Sequence, residues 1–287
     1  MVALEKMLFP TDFSPYSMIV TEFLDDLKNA GVKEVGVLFV VNTARLSSVS
    51  GGFDLGRYVE LEEKRAEEEL PSLLDKVERA GLKAKVIKPF PSGSPVSEII
   101  KLSKSYDFIS LGARGRGIFK EILLGSVSEG VLRKSEIPVY VFKSKTEISE
   151  SGVKCYKPCE DLFARILVPY DFSKHSQRCL EYATEIAKRT RGEIILLHVD
   201  EDEKCKKDDL KSVAESLRAE GISVIDVKTS GSPAKVIISK QAEMKATTVF
   251  LGSRGLSLPR SLIGGSVSDP VVRAVEVPVF VSKGSKE

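Results

Sequence analysis

The chain has 287 residues, 42% apolar and 29% charged, which is room for two domains and too apolar for a disordered chain. Its 43 Lys and Arg against 41 Asp and Glu leave a net charge of +2, without the basic excess of a general nucleic-acid binder. No apolar run reaches the roughly 18–20 residues of a membrane span, Met1–Lys6 does not read as a signal peptide, and four Cys with two His are too few for a disulfide scaffold. These exclusions point to a reduced, cytoplasmic protein with neither a membrane nor a nucleic acid as partner.

In chain order, Lys6–Pro10 predicts a strand, and Pro15–Asn29 a helix capped by Ser14. Val35–Val41 is a nearly continuous apolar run, as expected for a parallel strand covered on both faces. A Glu- and Lys-rich helix over Tyr58–Ala80, interrupted by Pro71, leads to a third strand at Leu82–Pro89. Ser94 caps a helix to about Ser105, Asp107–Leu111 is the fourth strand, a helix runs from Gly125 to Lys134, and Val139–Phe142 is the last strand.

The pattern then repeats. Leu8-Phe9-Pro10-Thr11-Asp12-Phe13-Ser14 returns as Leu167-Val168-Pro169-Tyr170-Asp171-Phe172-Ser173, 159 residues later. Ser92-Gly93-Ser94-Pro95 returns unchanged as Ser230-Gly231-Ser232-Pro233, and Leu111-Gly112-Ala113-Arg114-Gly115 as Leu251-Gly252-Ser253-Arg254-Gly255. Gly125-Ser126-Val127-Ser128 returns as Gly265-Ser266-Val267-Ser268 and Ile137-Pro138-Val139 as Val277-Pro278-Val279, and five such matches in one order make the chain a tandem duplication, with 21 extra residues in the first copy between its Asp and its SGSP. Copy two places strands at Arg165–Pro169, Glu193–Val199, Ser223–Lys228, Thr247–Leu251 and Val279–Ser282. Strand–helix alternation predicts an α/β fold: two tandem Rossmann-like domains, each an open five-stranded parallel sheet with helices on both faces. The domains are set at 1–145 and 163–287, with a polar, aperiodic linker at 146–162.

Ligands of open parallel sheets bind beyond the carboxyl ends of the strands, where strand order reverses. The repeated polar residues fall there: Asp12 and Asp171 just after strand one, Gly112 and Gly252 ending strand four. From that glycine both copies run Gly-x2-Gly-x9-Gly-Ser, as Gly112, Gly115, Gly125, Ser126 and as Gly252, Gly255, Gly265, Ser266. Such glycines let a backbone approach a ligand, and Gly-Ser opening a helix offers free N–H groups to a phosphate. The hydroxyls of Ser126 and Ser128 are further candidate donors, and a carboxylate across the cleft suits a ribose hydroxyl or a base amino group.

Both halves resemble the nucleotide-binding branch of the universal stress protein family. The resemblance rests on Pro10-Thr11-Asp12, Phe39-Val40, Lys120–Leu124 and the glycine series in copy one, and on Pro169-Tyr170-Asp171, His198-Val199 and the second glycine series in copy two. It implies an adenine nucleotide hydrolase-like fold binding ATP, ADP or AMP, with magnesium admissible beside ATP. By that resemblance Asp12 and the backbone of Val40 hold the adenine and ribose end. Gly112 and Gly115 pass under ribose and phosphates, and Gly125, Ser126 and Val127 bind phosphate, with Arg114 and Ser128 beside them. Asp171, Val199, Gly252, Arg254, Gly255, Gly265, Ser266, Val267 and Ser268 are their copy-two counterparts. The family also implies pairing through the last strand of each copy. That gives a pseudo-twofold contact between the copies, extended into a homodimer, and an unidentified protein partner for a stress-linked sensor or regulator. A slow ATP-hydrolysing enzyme and a nucleotide-free dimeric scaffold are the alternatives; no Ser-His-Asp set or metal-bound base presents itself.

Several features point elsewhere. Ser50-Gly51-Gly52-Phe53-Asp54 has the look of a phosphate loop but follows strand two, inside the segment copy two lacks. Cys155 and Cys159, with Cys179 and Cys205 isolated, match no standard metal spacing, and a linker disulfide is the other reading. His198 lies in a buried strand as a core residue, and His175 opens a helix near the second cleft.

Overall fold

The computed structural model describes residues 2, 4–44, 54–113, 124–149, 152–200, 207–252 and 267–283. In copy one, β1 (Lys6–Pro10) leads through α1 (Pro15–Met18), a 3-10 turn (Ile19–Phe23) and α2 (Leu24–Asn29) to β2 (Glu34–Leu38) and β3 (Val41–Asn42). α3 (Leu55–Arg79), β4 (Lys83–Val86), β5 (Ser92–Gly93), α4 (Pro95–Ser103), β6 (Phe108–Gly112), α5 (Ser126–Lys134) and β7 (Val139–Phe142) complete it. After β8 (Lys145–Ser149) and β9 (Gly152–Tyr156), copy two runs β10 (Arg165–Pro169), α6 (Lys174–Thr190), β11 (Glu193–Asp200), α7 (Lys207–Ala219) and β12 (Val224–Ser230). α8 (Pro233–Glu243), β13 (Thr248–Gly252), α9 (Ser268–Ala274) and β14 (Val279–Ser282) close the chain.

The main strands of both copies join one sheet in the order β12-β11-β10-β13-β14-β7-β6-β1-β2-β4. Within each copy all neighbours are parallel, and strand order reverses beside the first strand: β1 lies between β2 and β6, β10 between β11 and β13. Alternation along a strand sends Met7 and Phe9 to one core face and Leu8 to the other. α3, α6 and α7 cover the first face, and α4, α5, α8 and α9 the second. α3 runs through Pro71, because Ala66, Leu70, Leu73 and Val77 keep one buried stripe across it.

The copies meet through β7 and β14, which pair antiparallel with Phe280 opposite Tyr140. The expected pseudo-twofold contact is therefore made inside one chain. β7 is bonded to β6 and β14, and β14 to β13 and β7. Both edges of each strand are taken, so the expected extension of this contact into a homodimer has no strand edge to use. Tyr140 sits at the centre of an aromatic cluster, 4.5 Å from Phe142, 5.5 Å from Phe280 and 6.0 Å from Phe250 between ring centroids. Its hydroxyl meets Thr248 Oγ1 at 2.8 Å.

Two local expectations need correction. The helix over Pro15–Asn29 is broken by a 3-10 turn, where Thr21 Oγ1 donates to the carbonyl of Met18. The connecting segment is not aperiodic: β8 and β9 form a two-stranded hairpin, with Ile148 opposite Val153. It is tied to copy one, as Lys157 Nζ lies 2.7 Å from Asp26 Oδ2 and 4.9 Å from the Phe23 ring centre.

Candidate functional site

Each first strand ends in the same turn. Asp12 Oδ1 accepts from Ser14 N at 3.0 Å and Ser14 Oγ at 2.6 Å, and Ser14 caps α1 by accepting from Ser17 N. In copy two, Asp171 Oδ1 accepts from Ser173 N and Oγ, and Ser173 Oγ accepts from Ser176 N. The residue between, Phe13 or Phe172, has a φ of 60° or 62°. A left-handed phenylalanine is disfavoured, and finding it at both equivalent positions marks a turn held by its surroundings. Burial pushes the Asp12 carboxyl up, but hydrogen bonds from Ser14, joined by Ser17 and its own backbone, together outweigh that and leave it below its ordinary value.

Behind the turn the copies differ. Phe13 packs on Phe39, and Arg65 lies over the Phe39 ring with Nη2 3.5 Å from the carbonyl of Asp12. Phe172 packs instead on Tyr170 and His198. His198 is buried, its Nδ1 2.8 Å from the carbonyl of Tyr170, so it is the core residue its strand position suggested.

The glycines divide by task. A Cβ on Gly112 would lie 1.8 Å from the carbonyl oxygen of Tyr16, so the backbone that approaches Gly112 is that of α1. Gly252 is looser, 3.1 Å from His175. The approach of Tyr16 by itself demands a glycine at 112. Gly125 is different. Its φ of −63° and ψ of 150° suit any residue, and a Cβ there would meet nothing nearer than Ser128 Oγ at 3.9 Å. Nothing described inside the protein demands a glycine at that helix start.

The serines divide too. Ser128 Oγ donates to the carbonyl of Gly112 at 3.1 Å, and Ser268 Oγ to that of Gly252 at 3.0 Å. Both are buried and both hydroxyl protons are committed, so Ser128 and Ser268 pin a helix start to a strand end instead of offering a donor to a phosphate. Ser126, the first residue of α5, is exposed, and Val127 is half-buried.

In copy two these parts surround a cavity of about 320 Å³ at the end of the sheet. Asp171, Val199, Gly252, Val267 and Ser268 all line it, as does His175. Leu197, Val199, Ile237 and Leu251 supply apolar wall, and Asp171, Ser173 and Ser176 polar wall. Pro233 and Ile237 were not foreseen; the identical SGSP in both copies was the signal, since its proline opens α8 at the cavity. In copy one, Val40 and Val127 pack on the same core face as Leu38 and Leu111. Arg114, Gly115, Arg254, Gly255, Gly265 and Ser266 lie outside the described residues.

A model of the universal stress protein family matches residues 3–143, 162–209 and 200–283. The chain belongs to that family. A universal stress protein structure from Archaeoglobus fulgidus is 48% identical, with a TM-score of 0.83 over 98% of both chains. A universal stress protein of Methanocaldococcus jannaschii is 34% identical over 160 residues, 50% of this chain and 98% of the relative. One from Mycobacterium tuberculosis is 26% identical over 228 residues, 73% of each chain.

Asp54 of the SGGFD segment caps α3, accepting from Arg57 N at 3.0 Å; Ser50–Phe53 lie outside the described residues. Cys155, Cys159 and Cys179 are free thiols, and Cys205 also lies outside. Burial pushes the Cys159 thiol up to about 11 and that of Cys179 to about 12. No helix among the described residues is long and apolar enough to cross a membrane, and no group of three metal-ligating side chains occurs among them.

Proposed function

We propose that each copy binds one adenine nucleotide, ATP, ADP or AMP, in the crevice beside its first and fourth strands, and that occupancy makes the protein a stress-linked regulator. The observation that carries this reading is the copy-two cavity, where an aliphatic wall for a purine ring faces the Asp171 turn within about 320 Å³. Asp12 and Asp171 accept from ribose hydroxyls, each carboxylate aimed by its serine turn. Val40 and Val199 offer backbone groups to the base edge. In copy one the N–H groups at the start of α5, from Gly125 to Val127, receive phosphate. Gly125 fits this role: the fold leaves space at its Cβ, which a phosphate close to the backbone would use.

The protein itself does no bond-breaking in this reading. Binding shifts the population competent for a protein partner. Isothermal titration of ATP, ADP and AMP tests it, together with mass spectrometry of the small molecules released when the purified protein is denatured. Two sites are expected, falling to one in Gly125→Val. Nucleotide-free protein that binds none of the three would overturn the assignment.

A further inference from the structure

α5 and α9 present Gly125–Val127 and Val267–Ser268 towards the clefts. Their opposite ends are held from across the seam between the copies. Lys283, directly after β14, donates from Nζ to the carbonyl of Leu132 in α5 at 2.5 Å. Lys143, directly after β7, donates to the carbonyl of Val272 in α9 at 2.7 Å. The lysines are equivalent residues of the two copies, and so are their acceptors. Lys143 is only 2% exposed. Burial pushes its amine down to about 7, with Arg273 contributing, and pushes that of Lys283 down to about 8.

A buried amine is a costly way to stitch two domains together. What it does well is fix a helix by its last carbonyls, to which the amine donates whether or not it carries the extra proton. Each lysine is in turn joined to the cleft of its own copy. Phe142, just before Lys143, is paired with Gly112, whose carbonyl Ser128 holds. Ser282, just before Lys283, is paired with Gly252, held by Ser268. The contacts close a ring: copy-one cleft, α5, Lys283, β14, copy-two cleft, α9, Lys143, β7 and back. A second tie crosses at the same level, where Arg273 of α9 lies 3.4 Å from Glu129 of α5.

We infer that Lys283 is a positioning residue for the copy-one nucleotide cleft and Lys143 for the copy-two cleft, so that each site depends on a side chain of the other copy. This rests on the reading of the clefts given above. Each lysine sets the tilt of the helix whose first turn meets the ligand, without touching the ligand itself. A clasp that served stability alone would weaken both clefts alike or neither.

The test uses full-length protein with one cleft disabled, by Gly125→Val in copy one or by Val267→Asp in copy two, and ATP titrated calorimetrically. In the Gly125→Val protein, Lys143→Met should weaken ATP about tenfold, several times more than Lys283→Met does. In the Val267→Asp protein the order should reverse. Lys143→Arg and Lys283→Arg, which keep a donor, should restore most of each loss. Equal losses from both lysines, a larger loss in the lysine's own copy, or no loss would each overturn the proposal. If neither single-cleft protein binds ATP before any lysine is changed, the reading of the clefts fails and this proposal falls with it. Should a Met variant not fold, hydrogen exchange in the Gly125→Val protein decides. ATP filling copy two must slow the amides of 139–143 in copy one, and unchanged exchange there would refute the link.

Discussion

The two clefts share the hydrogen bonds that shape their turns and differ in the side chains packed behind them. Asp–Phe–Ser turns, left-handed phenylalanines and serine-to-glycine-carbonyl bonds are the same in both copies. The packing beneath has diverged. Copy one backs its turn with Phe39 and Arg65, copy two with His198. α3 has 25 residues where α7 has 13. Gly112 is clamped at 1.8 Å by a backbone carbonyl, where Gly252 is approached less closely, at 3.1 Å by His175. What survived duplication is the set of bonds that shapes the crevice, while residues that only fill space behind it were free to change.

The sharpest way to break this comparison is at the strand-four glycines. Gly112→Ala places a methyl group against the backbone of Tyr16, which cannot swing aside as a side chain would. It should cost about 3 kcal/mol, against about 1 kcal/mol for Gly252→Ala. Denaturant midpoints would read this, and equal shifts would mean that the difference in clamping has no energetic content.

Next comes Gly125→Val. Because the fold leaves room at Gly125, the melting temperature should stay close to that of the parent, while copy-one ATP affinity falls about 10- to 100-fold. A large loss of stability instead would show that this glycine serves the fold, as Gly112 does.

The two lysines predict a pH dependence. Burial holds the folded-state pKa of Lys143 at about 7, well below the 10.5 of an ordinary lysine. Between those values the unfolded chain carries the proton and the folded protein does not. Unfolding therefore takes up protons, and stability rises as pH climbs from about 7 towards 10. Lys283, at about 8, contributes in the same direction over a narrower window. Melting curves from pH 6 to pH 10 should flatten more in Lys143→Met than in Lys283→Met, and an unchanged slope in both would reject the assignment.

The smallest effect is expected at Arg65, which is half-exposed and touches the copy-one turn through one long bond and a ring face. Arg65→Ala should cost about 0.5 kcal/mol and loosen copy-one binding slightly, leaving copy two alone. A loss as large as that of Gly125→Val would make Arg65 part of the binding surface.

Strands were legible because buried parallel strands read as apolar runs, and the duplication let each copy check the other. The hairpin was not. Its inward face is only Val153 and Cys155, both half-buried, while Ile148 is 58% exposed, so too little apolar surface is covered to write a clear pattern into the sequence. At the site, the Asp-x-Ser spacing carried its turn locally and could be read. The tasks of Gly112 and Ser128 could not, because their partners Tyr16 and each other are far apart in sequence. Lys143 and Lys283 each follow a strand with nothing local to set them apart, and only the seam puts a helix carbonyl within their reach.

The pairing of Tyr140 with Phe280 has a consequence for fidelity of association. In a symmetric assembly the residue on the twofold axis must face itself. Here one side is tyrosine and the other phenylalanine, with ring planes at 88°, and the hydroxyl is taken by Thr248, whose equivalent in copy one is Phe108. Two first copies placed together would bury a pair of tyrosine hydroxyls with phenylalanine where the threonine should be, leaving polar groups stranded in a dry cluster. Covalent fusion thus let the two faces specialise for one another, and in a cell holding several related single-domain proteins it discourages either half from mixing with its relatives.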